Sequence, residues 1–260
     1  MPSHDIWTLC GGKSNLLSLH VPAFRIVEAQ HLISSRKLVN TDEEQAILES
    51  MIESIKPRPE IAQEAQGYHY LLFTPFRYPP LPYGSRFATQ QACSLWYGSL
   101  QIETALAEKA YYWFVLTQAS HAEFEDSKIE LTAYSVDIQT LYGIDLSQAP
   151  FDVYTHVISS PTQYGASQQL GQSMRQDGVL AFVYYSARDK NLHGRNVGVF
   201  SLHAFKTKKP NQDSIETWYC WSQGKNQVSF LRKNVMQREP ALSFSRAFFE
   251  VSGSLPEPVS

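Results

Sequence analysis

Three linked pieces decide the fold: Arg77-Tyr78-Pro79-Pro80-Leu81-Pro82-Tyr83-Gly84-Ser85-Arg86-Phe87, then Leu95-Trp96-Tyr97-Gly98, then Glu103-Thr104-Ala105-Leu106-Ala107-Glu108-Lys109-Ala110-Tyr111-Tyr112. Pro79, Pro80 and Pro82 each fix φ and remove an amide donor, so the chain between the two arginines is an extended, rigid turn. Ser94 to Tyr97 reads as a short strand ended by Gly98, and Ser99 caps a helix that runs to about Gln118. On that helix Glu108 points with Gln101, Thr104, Tyr112 and Val115, an apolar and aromatic face where a carboxylate is out of place. Glu103 points about 140° away from Glu108 and reads as an ordinary solvated helix former. Glu108 is the candidate acid. Arg77 and Arg86 flank the rigid turn; two planar guanidinium forks there suit a pyrophosphate or ribose phosphate, and the alternative is that both are surface arginines in weak ion pairs with acidic residues. Tyr78, Tyr83, Trp96 and Tyr97 surround them, aromatics whose default role is core packing.

Toward the C-terminus, Ile129 to Ile138 begins with alternating apolar residues and reads as a strand, and Pro161 to Arg175 as a helix. Asp177-Gly178 then turns into Val179-Leu180-Ala181-Phe182-Val183-Tyr184-Tyr185, short, β-prone and bounded by turn residues, as a buried strand should be. Ser186 ends that strand just before a polar loop, where a side chain reaches a cleft. No G-x-S-x-G surrounds it and no His and Asp are placed to activate it, so its expected role is to hydrogen-bond a ligand rather than attack one. Val197 to Phe205 is a further strand, and Thr217 to Cys220 with Gln227 to Leu231 form a hairpin around Gly224.

Toward the N-terminus, Phe24 to Leu38 has roughly helical spacing. Thr41-Asp42-Glu43-Glu44 fits a capping box, and Leu48, Met51, Ile52 and Ile55 make one apolar stripe before Pro57 and Pro59 stop the helix. Residues 1–66 are therefore expected to be a helical extension whose stripe packs on the rest. Residues 67–260 form the main domain, with its motifs over about 67–205, and Tyr68 to Phe76 is expected to be its first strand. Helices precede strands interspersed with helices, without regular β-α-β alternation, which favours α+β.

Hydrophobic residues make up 43% of the 260, charged residues 18%, and the net charge is −3, a globular balance that excludes a nucleic-acid-coating or membrane-surface protein. Cys10, Cys93 and Cys220 form no C-x-x-C pair, and the eight histidines no H-E-x-x-H, so no metal is expected. Gly11-Gly12-Lys13-Ser14 looks like the tail of a phosphate loop, but the first glycine of that pattern falls on Trp7. With no signal-like start and no apolar stretch of membrane-spanning length, the expected location is the reduced cytoplasm, with neither membrane nor directly bound nucleic acid as a partner.

Arg77-Tyr78, Gly84-Ser85-Arg86-Phe87, Leu95-Trp96-Tyr97-Gly98, Thr104-Ala105-Leu106-Ala107-Glu108 and Asp177-Gly178 with Tyr185-Ser186-Ala187-Arg188 together resemble the RES-domain family, named for its Arg, Glu and Ser. Gly-Ser-Arg-Phe stands where that family often has Gly-Gly-Arg-Trp, which keeps the arginine and an aromatic. The resemblance implies an ADP-ribosyltransferase-like mixed β core with flanking helices. It also implies the toxin half of a bacterial toxin–antitoxin pair, which depletes NAD⁺ by phosphorolysis or hydrolysis of the nicotinamide–ribose bond. NAD⁺ is then the substrate, inorganic phosphate a co-substrate, and an Xre-type antitoxin the partner that blocks the site in a common oligomer. By the same resemblance the catalytic set is Glu108, Arg77 and Ser186. Glu108 stabilises the ribose cation, Arg77 and Arg86 hold phosphate groups, Tyr97 and Tyr78 stack on nicotinamide, and Ser186 orients ribose or carboxamide. Two other readings stay open: a mono-ADP-ribosyltransferase acting on a protein, and a non-catalytic nucleotide-binding module.

Overall fold

The structure is a computed structural model that describes residues 5–29, 41, 43–44, 47–48, 51, 63–78, 80, 82–119, 128–189, 193–233 and 242–257. Eight strands, β1 (Leu17–Glu28), β2 (Trp96–Ser99), β3 (Lys128–Asp145), β4 (Ala181–Tyr185), β5 (Arg195–Val199), β6 (Glu216–Gln223), β7 (Gln227–Arg232) and β8 (Leu242–Ser245), form one mixed sheet. Their order is β1-β2-β5-β4-β3-β6-β7-β8, with β1 also paired to β3.

β3 organises this arrangement because it is long enough to serve three partners. Leu131 pairs with Glu28 of β1 on one side and Trp218 of β6 on the other; near the far end Gly143 pairs with Leu17 of β1 and, in parallel, with Ala181 of β4. β4 and β6 thus share one edge of β3 at opposite ends. The pairings close β3, β1, β2, β5 and β4 into a circuit, while β6, β7 and β8 run on as an antiparallel meander.

Of the helices α1 (Ile6–Leu9), α2 (Tyr70–Phe73), α3 (Ile102–Ala119), α4 (Thr155–Ile158), α5 (Gly165–Gln176) and α6 (Arg246–Phe249), α3 matters most for the site. Leu106, Ala110, Tyr111 and Phe114 on one side of α3 pack against Leu131, Cys220, Val228, Phe230 and Phe249. Each large side chain fully buried there contributes about 1.5–3 kcal/mol. Ala105, Glu108, Lys109 and Tyr112, at i, i+3, i+4 and i+7, face a cleft instead. Glu103 is exposed, as its helical phase required.

Several expectations are corrected. Tyr68 to Phe76 is not a strand: α2 and a following 3₁₀ turn, Thr74–Phe76, occupy it, with His69 Nδ1 accepting from Leu71 N at 3.3 Å as an N-cap. Its apolar run lacked the alternation that separates strand from helix. Phe24 to Glu28, read as the start of a helix, is the end of β1; the rest of that segment, 30–38, lies outside the described residues. Residues 1–66 are therefore not a purely helical extension, since β1 belongs to the sheet. The capping box does form, Thr41 N donating to Glu44 Oε2 at 3.3 Å and Glu44 N to Thr41 Oγ1 at 3.1 Å. Along the stripe that follows it, Leu48 is half-buried and Met51 is 61% exposed, while Ile52 and Ile55 lie outside the described residues. Ser99 is a strand end rather than a cap. Val197 to Phe205 leaves the sheet after Val199 and turns into a 3₁₀ segment, Leu202–Ala204. The hairpin around Gly224 is present as β6 and β7. Among the described residues no helix is long and apolar enough to cross a membrane, and no three His, Cys, Asp or Glu are placed to hold a metal.

Candidate active site

A cleft of about 440 Å³ opens between α3, the ends of β1 and β2, and the loop carrying Arg86. Glu108 reaches it from α3. Its Oε1 accepts two hydrogen bonds, from Asn196 Nδ2 at 2.6 Å and Ser186 Oγ at 2.7 Å. Both donors are themselves fixed. Asn196 Oδ1 accepts from Ser99 Oγ at 2.7 Å, a contact made possible because Ser99 and Asn196 are cross-strand partners of β2 and β5. Ser186 Oγ accepts from the backbone N–H of Arg188 at 3.0 Å and of Asp189 at 3.1 Å, so its own proton is directed at Glu108. Oε1 thus holds two donors, and Oε2 accepts no bond from the described residues. A carboxylate so placed is oriented by its own protein through one oxygen and open to a ligand through the other.

The Arg86 loop is shaped by sequence. Gly84 has φ 75°, where an added Cβ would lie 2.3 Å from Ala88 O, so only glycine makes this turn. Ser85 and Ala88 then bridge, and α5 clamps the loop: Ser167 Oγ donates to Arg86 O at 2.7 Å, and Gln168 Nε2 to Tyr83 O at 3.0 Å and Ser85 O at 3.1 Å. Gly171 permits this approach, for a Cβ there would sit 2.2 Å from Phe87 O. Tyr97 braces the loop from β2. Its hydroxyl meets Ser85 Oγ at 3.0 Å and accepts from Phe87 N at 3.1 Å. Burial pushes the Tyr97 phenol up to about 12, against the opposing effect of these bonds and of Arg86, so it stays neutral.

Arg86 is 8% exposed; its Nη1 donates to Ser160 O at 2.6 Å and Ile158 O at 3.3 Å, and it lies 4.5 Å over the Tyr164 ring. Burial alone would lower this guanidinium, but Tyr164, Tyr184 and Glu108 outweigh burial and raise it. Arg188, 2% exposed, donates to Pro161 O at 3.0 Å and stacks 3.5 Å over Tyr111. Arg25 enters from β1, donates from Nη1 to Tyr97 O at 2.7 Å and is lowered by burial. Three arginines and Lys109, which pairs with Glu28 at 3.1 Å, thus gather around Glu108 among tyrosines. The arrangement favours an anionic, ring-bearing ligand and offers one carboxylate to a centre that becomes positive.

The structure brings Glu108, Arg86 and Tyr97 to the cleft wall and sets Ser186 behind Glu108, where it positions the carboxylate. Arg77 and Tyr78 are elsewhere. Arg77 lies 5.8 Å over the Phe73 ring and does not line the cleft; Tyr78 lines a smaller neighbouring pocket. Asn196, Ser99 and Arg25 were not anticipated. The one available signal for Asn196 was a polar residue inside an apolar strand, and it is 3% exposed.

Fold and cleft together define an α+β protein with a cationic, tyrosine-lined site built round one oriented carboxylate. Residues 61–222, more than half of the chain, match the RES domain, and the chain belongs to that family. Among curated proteins none matches it.

Proposed function

We propose that this protein cleaves the nicotinamide–ribose bond of NAD⁺, passing the ADP-ribosyl group to water or inorganic phosphate. The observation that carries the reading is Glu108: Oε1 is held by Ser186 and Asn196, and the carboxylate faces a cleft ringed by Arg25, Arg86 and Arg188. As the bond breaks, its electron pair leaves with nicotinamide, which departs neutral, and the ribose gains oxocarbenium character. Glu108 Oε2 accepts a ribose hydroxyl and stabilises that charge, which forms only on the way to the transition state. Water then adds with loss of a proton to give ADP-ribose, or phosphate adds to give ADP-ribose 1″-phosphate. The arginines hold the pyrophosphate, and the Tyr97 ring offers nicotinamide a stacking face.

On the same reading the fold is ADP-ribosyltransferase-like and the protein is a toxin that acts in the cytoplasm, with an Xre-type antitoxin as the partner that would occupy the cleft in an inactive complex. Arg77 retains a place in the reading only as a residue of the loop beside the cleft, since Arg25, Arg86 and Arg188 supply its cations. Chromatography of NAD⁺ incubated with the pure protein, with and without phosphate, tests the reading. Free nicotinamide with ADP-ribose or its 1″-phosphate is expected. Label retained on a protein band would favour transfer to protein, and undiminished NAD⁺ in both conditions would refute catalysis.

A further inference from the structure

Next to the main cleft lies a second pocket of about 220 Å³, and Arg25 and Pro75 line both. Tyr70 and Tyr78 form part of its wall and are 44% and 42% exposed, two large ring surfaces left partly open to solvent in a concave setting. Val27, Leu71 and Thr74 also line the pocket. Such a site suits a flat heteroaromatic ring, because stacking on tyrosine removes apolar surface on both partners from water. Arg25 stands at the border. Its Nη1 is committed to Tyr97 O at 2.7 Å, which fixes the planar group, and no acidic side chain among the described residues pairs with it. A half-buried guanidinium with further donors and no carboxylate bonded to it among the described residues can take an anion.

We propose that the smaller pocket is a second subsite that takes the base of a nucleoside diphosphate between Tyr70 and Tyr78, with Arg25 binding the pyrophosphate that crosses into the main cleft. The proposal rests on the dinucleotide reading of that cleft for the direction in which the ligand runs. It moves Tyr78 from the nicotinamide end to the opposite end of the substrate. It also gives a binding role to β1, which lies outside the matched residues 61–222.

ADP, which has the base and pyrophosphate but no nicotinamide, is the direct probe, titrated by calorimetry into the full chain. Tyr78→Ala, at a partly exposed position, should weaken ADP at least tenfold and nicotinamide mononucleotide much less. Arg25→Gln should weaken ADP by a similar factor, and Arg25→Lys should recover part of the loss at low salt. Thermal melts confirm that each variant is folded, and Tyr78→Ala keeps the test valid if Arg25→Gln is not. No ADP binding by the parent, or equal ADP affinity in parent and folded Tyr78→Ala, overturns the subsite. ADP binding that depends on Arg25 and Tyr78 in a protein that leaves NAD⁺ intact would uphold the subsite and refute the cleavage reading; NAD⁺ turnover with ADP binding indifferent to both residues would do the reverse.

Discussion

Asn196→Asp keeps the size of the side chain and reverses what it offers Glu108. In the parent, Asn196 Nδ2 donates to Glu108 Oε1 at 2.6 Å. In the variant two carboxylates share that contact. At an effective dielectric constant of about 20, two unit charges about 3 Å apart repel by about 5 kcal/mol before the side chains relax. The pair therefore retains one shared proton to a pH well above the ordinary carboxylate range of about 4. Because the upper titration of the pair is raised, activity is lost below it and returns as pH rises through it. Asn196→Ala makes a contrasting control. It removes one hydrogen bond to a charged group, worth about 1.5–3 kcal/mol, which is a loss of about 10- to 100-fold in kcat/KM if it appears wholly in the transition state. It adds no new acid limb. The assay is NAD⁺ consumption across pH for parent, Asn196→Ala and Asn196→Asp, with circular dichroism to verify folding. A folded Asn196→Asp protein with the rate and pH profile of the parent would refute the view that Asn196 positions Glu108.

Tyr97→Phe removes the acceptor of Phe87 N and the partner of Ser85 Oγ; a buried N–H left without a partner costs about 1–3 kcal/mol, so the Arg86 loop should loosen and the melting temperature fall, although the ring face remains. Gly171→Ala should cost about 1–3 kcal/mol or more by forcing α5 off Phe87 O, a shift of at least about 2–4 °C in Tm, with loss of activity because the Arg86 loop is displaced. Asp177 is held below the usual aspartate value chiefly by the Trp7 indole N–H at 2.6 Å, and further by Lys13 at 3.3 Å. Since its folded value is depressed, its contribution is complete above the unfolded value of about 4 and lost as pH falls through the folded one. Trp7→Phe should flatten that acid-side slope in melts followed against pH.

Much of the site was legible because its signals are local. Helical phase put Glu108 on a face apart from Glu103, a strand followed by a polar loop put Ser186 at an edge, and the proline-rich turn marked Arg86. Asn196 could not be read because its meaning depends on β2 pairing with β5 in the register that opposes it to Ser99, a contact between residues 97 positions apart. Arg25 was hidden for a related reason. β1 contains Pro22 and shows no clean alternation, since it pairs along β3 and also touches β2, so period-based reading took its end for a helix. Arg77 illustrates the converse: a motif residue with the right chemistry whose backbone turn carries it outside the cleft wall. The sheet circuit was equally out of reach, because it is closed by the β1–β3 pairing between segments more than a hundred residues apart.

The central claim is that one oriented carboxylate stabilises a ribose cation during NAD⁺ cleavage, and Glu108→Gln tests it with the least disturbance. The amide keeps the size of the side chain and an oxygen for Ser186 and Asn196, but not the charge. Nicotinamide release from NAD⁺, measured for parent and variant at equal concentration and matched melting temperature, should fall by about 100- to 1000-fold. Release by folded Glu108→Gln at the parent's rate would contradict the account.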